Sequence, residues 1–76
     1  MKAKIYSTDW CGWCQQAKEA FEQLNYEYEE ILLNTDKNIE AFKKDCPGLT
    51  SVPQIFIDNK FIGGYTELME YIYKNL

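Results

Sequence analysis

The sequence has 76 residues, a formal net charge of −4 and 16% aromatic residues. This length fits one domain with a small core, and each aromatic side chain can add about 150–250 Å² of buried surface. An acidic chain lacks the basic patch expected of a nucleic-acid-binding protein, and no apolar run approaches the roughly 18 residues of a membrane span. Because the amino terminus also lacks the apolar stretch of a secretory signal, we expect a cytoplasmic protein that binds neither nucleic acid nor membrane.

The cysteine content limits the chemistry further. The chain has three cysteines and no histidine, whereas a structural zinc site usually takes four Cys or His ligands. An odd number of cysteines also argues against a fully paired disulfide framework. Cys11 and Cys14 form a C-x-x-C pair, so redox chemistry in a reducing compartment is the interpretation that stays open.

The chain opens with a predicted strand that leads into a helix. Residues 3–7 (AKIYS) predict a short buried strand, and four apolar side chains then recur at helical spacing: Ala17, Ala20, Phe21 and Leu24. The C-x-x-C pair therefore lies at a strand-to-helix junction. Free N–H groups and the dipole at a helix N-terminus favour an anion, so we expect Cys11 to be rich in thiolate. Cys14, about one turn further, is placed to resolve a mixed disulfide on Cys11.

The middle of the chain predicts a strand at 26–33, with charged residues on one side, and then a helix over 34–46. Asn34 or Thr35 is the candidate N-cap of this helix. Its apolar face consists of Ile39, Phe42 and Cys46. We interpret Cys46 as a small core residue, because free cysteine often packs as one.

The last part of the chain predicts an antiparallel hairpin and a third helix. Strands at 53–58 and 60–64 meet at Asp58 and Asn59, which tolerate left-handed backbone. A helix over 66–76 follows, with Thr66 as its N-cap. The apolar face of this helix consists of Leu68, Met69, Ile72 and Leu76. The predicted order is β-α-β-α-β-β-α.

Three motifs, C-G-W-C at 11–14, S-V-P at 51–53 and G-G-Y-T-E at 63–67, occur in an order that resembles the glutaredoxins of the thioredoxin superfamily. The resemblance covers nearly the whole chain and implies one glutaredoxin domain over 1–76. It implies an α/β, thioredoxin-like fold with a four-stranded mixed sheet flanked by three helices. It also implies a monomeric glutathione-dependent oxidoreductase that reduces protein disulfides and glutathione mixed disulfides, with glutathione as reductant and ribonucleotide reductase as a client by analogy.

The resemblance implies roles for individual residues. Cys11 would attack the substrate disulfide and Cys14 would resolve the product. Val52 would hold the cysteinyl part of glutathione, beside a cis Pro53. Pattern alone would favour trans, since only about 5–6% of X-Pro bonds are cis in folded proteins. The implied glutathione-binding residues are Thr8, Trp13, Ser51, Val52, Pro53, Gly64, Tyr65, Thr66 and Glu67.

The active-site segment differs from the usual family pattern in two ways. C-G-W-C replaces C-P-Y-C, and residues 8–10 are Thr, Asp and Trp where a basic residue is typical. The missing basic residue makes a thioredoxin-like disulfide reductase, fed by thioredoxin reductase, one alternative. Gly12 in place of proline makes a second alternative, a dimer in which Cys11 and glutathione hold a [2Fe-2S] cluster. No other metal site is expected.

Overall fold

The computed structural model describes residues 2–75, so Leu76 of the predicted third helix lies outside the described residues. The elements are β1 (Lys2–Ser7), α1 (Gly12–Gln23), β2 (Glu27–Leu32), α2 (Asp36–Asp45), β3 (Gln54–Ile57), β4 (Lys60–Gly63) and α3 (Tyr65–Asn75). The strand order is β2-β1-β3-β4, with β1 and β2 parallel and the other pairs antiparallel. The predicted order of elements and the mixed four-stranded sheet are confirmed.

The larger core lies between the sheet and the helices α1 and α3. Ile5 of β1, Phe21 of α1 and Leu68 of α3 are all fully buried in it. Successive side chains of a strand point to opposite faces of the sheet, so Ile5 and its neighbour Tyr6 serve different cores. Within residues 2–75, the helices are too short or too polar to cross a membrane.

The smaller core lies on the opposite face, under α2. Tyr6 of β1 makes an edge contact with Phe42, with ring centroids 5.4 Å apart, and Cys46 packs beside them at 2% exposure. Burial raises the pKa of the Cys46 thiol above its ordinary value. The predicted packing role of Cys46 is therefore confirmed.

The turns and caps agree with the sequence at two places and differ at one. Thr35 caps α2, since its side chain accepts the Asn38 N–H at 3.2 Å. Asp58 and Asn59 turn the hairpin with φ angles of 51° and 68°. The prediction that Thr66 is the N-cap of the third helix is wrong, because α3 already begins at Tyr65.

Gly64 takes the capping position of α3 instead. Its carbonyl accepts the Leu68 N–H at 2.9 Å, which closes the first turn of the helix. Its own N–H donates to the Glu67 carboxylate at 2.8 Å. This is the half of a capping box in which a side chain three residues into the helix reaches back to the cap.

Candidate functional site

Cys11 lies at the N-cap of α1, where the predicted strand-to-helix junction occurs. Its Sγ accepts the backbone N–H of Cys14 at 3.1 Å, and this hydrogen bond caps the first turn of the helix. In the thiol form, the same sulfur donates to the Val52 carbonyl oxygen at 3.6 Å. The side chain is partly exposed, so a disulfide from solvent can reach the sulfur.

Cys14 has a different environment, although it is only three residues away. It is 1% exposed, and the pKa of its thiol is raised to about 12, with burial as the largest cause. The hydrogen bond with Cys11 and the charge of Cys11 contribute to this rise in pKa, whereas a backbone hydrogen bond from Thr8 opposes it. Cys14 is therefore held as a neutral thiol beside the more accessible Cys11.

A groove of about 420 Å³ opens on the Val52 side of Cys11, and we call it the Pro53 groove. It is lined by Trp13, Leu49, Ser51, Val52, Pro53, Gln54, Phe61, Ile62, Gly63, Gly64, Tyr65, Thr66 and Glu67. Eight of the nine predicted glutathione-binding residues are in this set, Thr8 being the exception. The Val52-Pro53 peptide bond is cis, as the resemblance implies.

The walls of the Pro53 groove come from separate elements. The rings of Trp13 and Tyr65 lie 5.3 Å apart at 35°, and this contact joins the start of α1 to the start of α3. On the floor, the Gln54 amide donates to the Ser51 carbonyl at 3.0 Å and fixes the segment that leads into Pro53. Phe61 adds an exposed apolar surface from the edge strand β4.

Glu67 closes the end of the Pro53 groove at the start of α3. Its side chain folds back over Gly63, where an added Cβ would lie 2.8 Å from the Glu67 Cγ. Gly63 has a φ of 125°, a conformation that side chains rarely adopt. Glycine at this position therefore makes room for Glu67 to cap Gly64.

A second groove of about 400 Å³ lies on the other side of Cys11, and we call it the Lys18 groove. Its lining residues are Thr8, Asp9, Trp10, Cys11, Gly12, Gln15, Lys18, Glu30 and Leu32. Thr8 thus borders Cys11 from the side opposite the other predicted ligands. Trp10 is 84% exposed at the rim of this groove.

A polar cluster of Ser7, Lys18 and Glu30 lies at the Lys18 groove, and only Ser7 of the three is buried. Lys18 Nζ lies 2.7 Å from Glu30 Oε2, and the buried Ser7 hydroxyl donates to the same oxygen at 2.7 Å. The hydrogen bond from Lys18 holds the pKa of the Glu30 carboxyl below its usual range. The positive charge of Lys18 also lowers the pKa of Cys14, although burial has the larger effect.

Comparison with known proteins agrees with this geometry. The glutaredoxin family model matches residues 3–62. This chain belongs to the glutaredoxin family. It is 42% identical over 66 residues to glutaredoxin 1 of Rickettsia typhi, an alignment that covers 84% of this chain and 64% of that relative. The chain therefore spans slightly less than two thirds of the rickettsial protein.

Solved structures of glutaredoxins share the fold. Glutaredoxin 1 of Francisella tularensis, crystallised with cacodylate, has a TM-score of 0.79 and 35% identity, over 96% of this chain and 93% of that one. A buckwheat glutaredoxin in complex with glutathione has a TM-score of 0.80 and 31% identity, over 95% of this chain and 68% of that one. The predicted resemblance and the thioredoxin-like fold are confirmed.

The structure of this glutaredoxin adds site residues that the motifs did not identify. Lys18 is one, and its spacing of four residues from Cys14 on α1 is a signal that could have found it. Leu49 and Phe61 are two more, both apolar and exposed beside the Pro53 groove. Leu49 and Phe61 are brought to the groove by the packing of segments that are distant in sequence. No local sequence pattern therefore predicts that they line it.

Proposed function

We propose that this glutaredoxin is a glutathione-dependent oxidoreductase that reduces protein disulfides and glutathione mixed disulfides. The observation that carries the proposal is the position of Cys11, whose Sγ lies 3.6 Å from the carbonyl of Val52 in the Pro53 groove. Family membership supports thiol–disulfide exchange at this pair of cysteines. The buckwheat relative, which was crystallised with glutathione, supports glutathione as the reductant.

The reaction begins with attack by the Cys11 thiolate on one sulfur of the substrate disulfide. A new bond forms between Cys11 and that sulfur, the old S–S bond breaks, and the departing thiolate takes a proton from water. Cys14 then loses its proton to water and attacks the Cys11 sulfur. The second substrate thiol is released, and the protein carries a disulfide between Cys11 and Cys14.

Two molecules of glutathione restore the dithiol. The first attacks the protein disulfide and forms a mixed disulfide with Cys11. The second attacks the glutathione sulfur of that bond, so that oxidised glutathione leaves and Cys11 regains its thiolate. With a glutathionylated substrate, the Cys11 thiolate attacks the glutathione sulfur, the substrate leaves as a thiol, and glutathione stays on Cys11. One glutathione then attacks this mixed disulfide as in the last step above, so such turnover needs Cys11 alone.

The residues of the Pro53 groove support a binding mode for glutathione. Val52 offers backbone polar groups to the cysteinyl part, because an extended ligand can pair with a backbone edge. The start of α3 offers the Thr66 hydroxyl and the Glu67 carboxylate to the γ-glutamyl end, whose ammonium group would pair with Glu67. Ribonucleotide reductase as a client, the monomeric state and the cytoplasmic location stay predictions.

The test is an electron-donor assay. NADPH is supplied either with glutathione and glutathione reductase or with thioredoxin reductase, and NADPH oxidation is followed with a protein disulfide substrate. We expect turnover with the glutathione system. Turnover with thioredoxin reductase alone would contradict the assignment and favour the thioredoxin-like alternative.

Two cysteine variants sharpen the test. Cys14→Ser should still remove glutathione from a mixed disulfide but lose reduction of protein disulfides. Cys46→Ala, which changes a thiol in the smaller core, should keep both activities. Loss of both activities in Cys14→Ser would show that Cys11 alone does not support turnover.

The [2Fe-2S] alternative also stays a prediction. In residues 2–75, no three Cys, Asp or Glu side chains are grouped as a metal site, so Cys11 would need ligands from glutathione and a second chain. Anaerobic purification with glutathione should then give a dimer with visible absorbance. A colourless monomer after reconstitution would contradict this alternative.

A further inference from the structure

The Pro53 groove has an unusual charge distribution for a site that receives an anionic tripeptide. Of the described residues that line it, Glu67 alone is charged, and none is lysine or arginine. A carboxylate on a ligand therefore finds no cation in the groove with which to form an ion pair. The remaining surface is uncharged and includes the apolar side chains of Leu49 and Phe61.

The backbone donor at the start of α3 is also occupied. A free N–H at a helix N-terminus attracts anions, and the Gly64 N–H would be available for that purpose. However, the Glu67 carboxylate already accepts this N–H at 2.8 Å. An incoming carboxylate would have to displace Glu67 and then lie beside its negative charge.

Among the described residues that line the Lys18 groove, on the other side of Cys11, none is an unpaired cation. Lys18 in the Lys18 groove is paired with Glu30 at 2.7 Å, while Asp9 at the rim is exposed. The whole chain carries a formal charge of −4. Charges of one sign around a cleft draw in ligands of the other sign and repel their own, so positive ligands are favoured here.

The Pro53 groove also carries exposed apolar side chains. Trp13 is 62% exposed and Phe61 is 48% exposed, and Leu49 lies beside the same groove at 40%. Aromatic anchors of this kind contribute strongly to protein–protein contacts when they become buried. A ligand that covers all three must extend beyond the reacting cysteine along the Pro53 groove.

We propose that the Pro53 groove selects an extended segment of a client protein in which apolar and positively charged residues flank the disulfide cysteine. Apolar residues of the client cover Trp13 and Phe61, and a lysine or arginine pairs with Glu67. This inference rests on the proposed exchange at Cys11 and names the preferred client. Glutathione restores the dithiol afterwards, with Glu67 facing its ammonium group and no cation facing its carboxylates.

The experiment compares three symmetric disulfides in single turnover, which removes glutathione reduction from the measurement. The reduced protein is mixed with oxidised glutathione, with a disulfide-linked peptide dimer of sequence Phe-Cys-Lys, or with the matched Phe-Cys-Glu dimer, both amidated at the C-terminus. Formation of the Cys11 and Cys14 disulfide is followed by tryptophan fluorescence. Each rate constant is divided by the rate constant for the same disulfide with dithiothreitol, which corrects for intrinsic reactivity.

We expect the corrected rate constant of the Lys dimer to exceed that of the Glu dimer and that of oxidised glutathione by about tenfold, because each exposed charge pair changes binding by a few-fold. The ratio of the corrected rate constants of the Lys and Glu dimers should decrease in high salt, because salt screens exposed charges. Equal corrected rates for all three disulfides, or the fastest rate with oxidised glutathione, would overturn the inference. No reaction with any of the three would instead overturn the proposed exchange at Cys11.

Two charge-neutralising variants test whether Glu67 causes the preference for the Lys dimer over the Glu dimer. Glu67→Gln keeps a hydrogen-bond acceptor for the Gly64 N–H but removes the charge, and it should narrow the Lys-to-Glu ratio about threefold. Glu40→Gln makes the same change of charge on the exposed side of α2, away from both grooves, and should leave the ratio unchanged. An equal narrowing in both variants would show that net charge alone, and not Glu67, sets the preference.

Discussion

Single replacements of three glycines with alanine test whether Glu67 packs over Gly63 at the end of the Pro53 groove. Gly12 opens α1 and an added Cβ there meets nothing within 4 Å; Gly48 also meets nothing but has a φ of 82°. Gly63 combines a φ of 125° with a Cβ position 2.8 Å from the Glu67 side chain. The three substitutions therefore separate a relaxed position, a strained backbone, and a strained backbone with a steric contact.

The expected free energies of unfolding follow from these differences. Gly12→Ala should stabilise the protein by up to about 1 kcal/mol through helix propensity. Gly48→Ala should cost about 1–2 kcal/mol for a left-handed alanine. Gly63→Ala should cost about 3–5 kcal/mol, since displacement of Glu67 adds overpacking and a lost hydrogen bond to the backbone strain.

Urea unfolding followed by circular dichroism measures all three variants. A domain of this size has a total stability of about 4–11 kcal/mol, so the Gly63→Ala midpoint should fall well below the others. If Gly63→Ala and Gly48→Ala cost the same within about 0.5 kcal/mol, a typical error for such differences, then Glu67 does not pack over Gly63. That result would contradict the cap of α3 in which the Glu67 carboxylate accepts the Gly64 N–H.

Four further substitutions test the polar cluster, the packing of the larger core and the cap of α2. Lys18→Met should cost about 1 kcal/mol near neutral pH, and the cost should vanish in acid: because the Glu30 pKa is lowered in the folded state, the stability it adds is lost as pH falls through that pKa. The pH dependence of this stability cost is measured by comparing the urea midpoints of Lys18→Met and the wild type at several pH values. Leu68→Ala should cost about 2–4 kcal/mol by leaving a cavity, whereas Tyr73→Ala, at 87% exposure, should change the free energy of unfolding by less than about 0.5 kcal/mol. Thr35→Ala should cost about 1 kcal/mol through loss of the α2 cap, and an unchanged urea midpoint would contradict that role.

Local sequence patterns were sufficient to predict the helices and strands and the position of the C-x-x-C pair at a strand-to-helix junction. Helical spacing of apolar residues and the turn formed by Asp58 and Asn59 are local signals, and they predicted every helix and strand. The third helix shows the limit of such signals, because Thr66 is a good cap by residue type. The actual cap depends on Glu67 folding back over Gly63, and this geometry is available only to the backbone that Gly63 adopts.

The surroundings of the cysteines depend on contacts between distant segments. Cys11 and Val52 are 41 residues apart in sequence and are brought together by the pairing of β1 with β3. The parallel pairing of β1 with β2, in which Ser7 lies opposite Leu32, places Thr8 at the Lys18 groove rather than at the Pro53 groove. Sequence motifs predict which residues share a site. The register of the sheet determines on which side of Cys11 each of these residues lies.

The effect of Cys11 on the Cys14 pKa would order the steps of the proposed exchange. Cys11 raises the pKa of Cys14 through a hydrogen bond and through its charge, in addition to the larger effect of burial. When Cys11 forms a mixed disulfide, its sulfur carries no charge and becomes a poor acceptor for the Cys14 S–H. The two contributions from Cys11 then disappear, so formation of the mixed disulfide itself should make Cys14 easier to deprotonate at the moment when it must attack.

Cys11→Ala reproduces this loss of coupling without a substrate. We expect the Cys14 pKa to fall below the wild-type value but to stay above that of an ordinary thiol, because burial remains. The pH dependence of the ¹³Cβ chemical shift of Cys14 measures this directly, and it separates Cys14 from the buried Cys46. Cys46→Ala serves as the control and should leave the Cys14 titration unchanged. An unchanged Cys14 pKa in Cys11→Ala would show that burial alone keeps Cys14 protonated and that the mixed disulfide does not activate it.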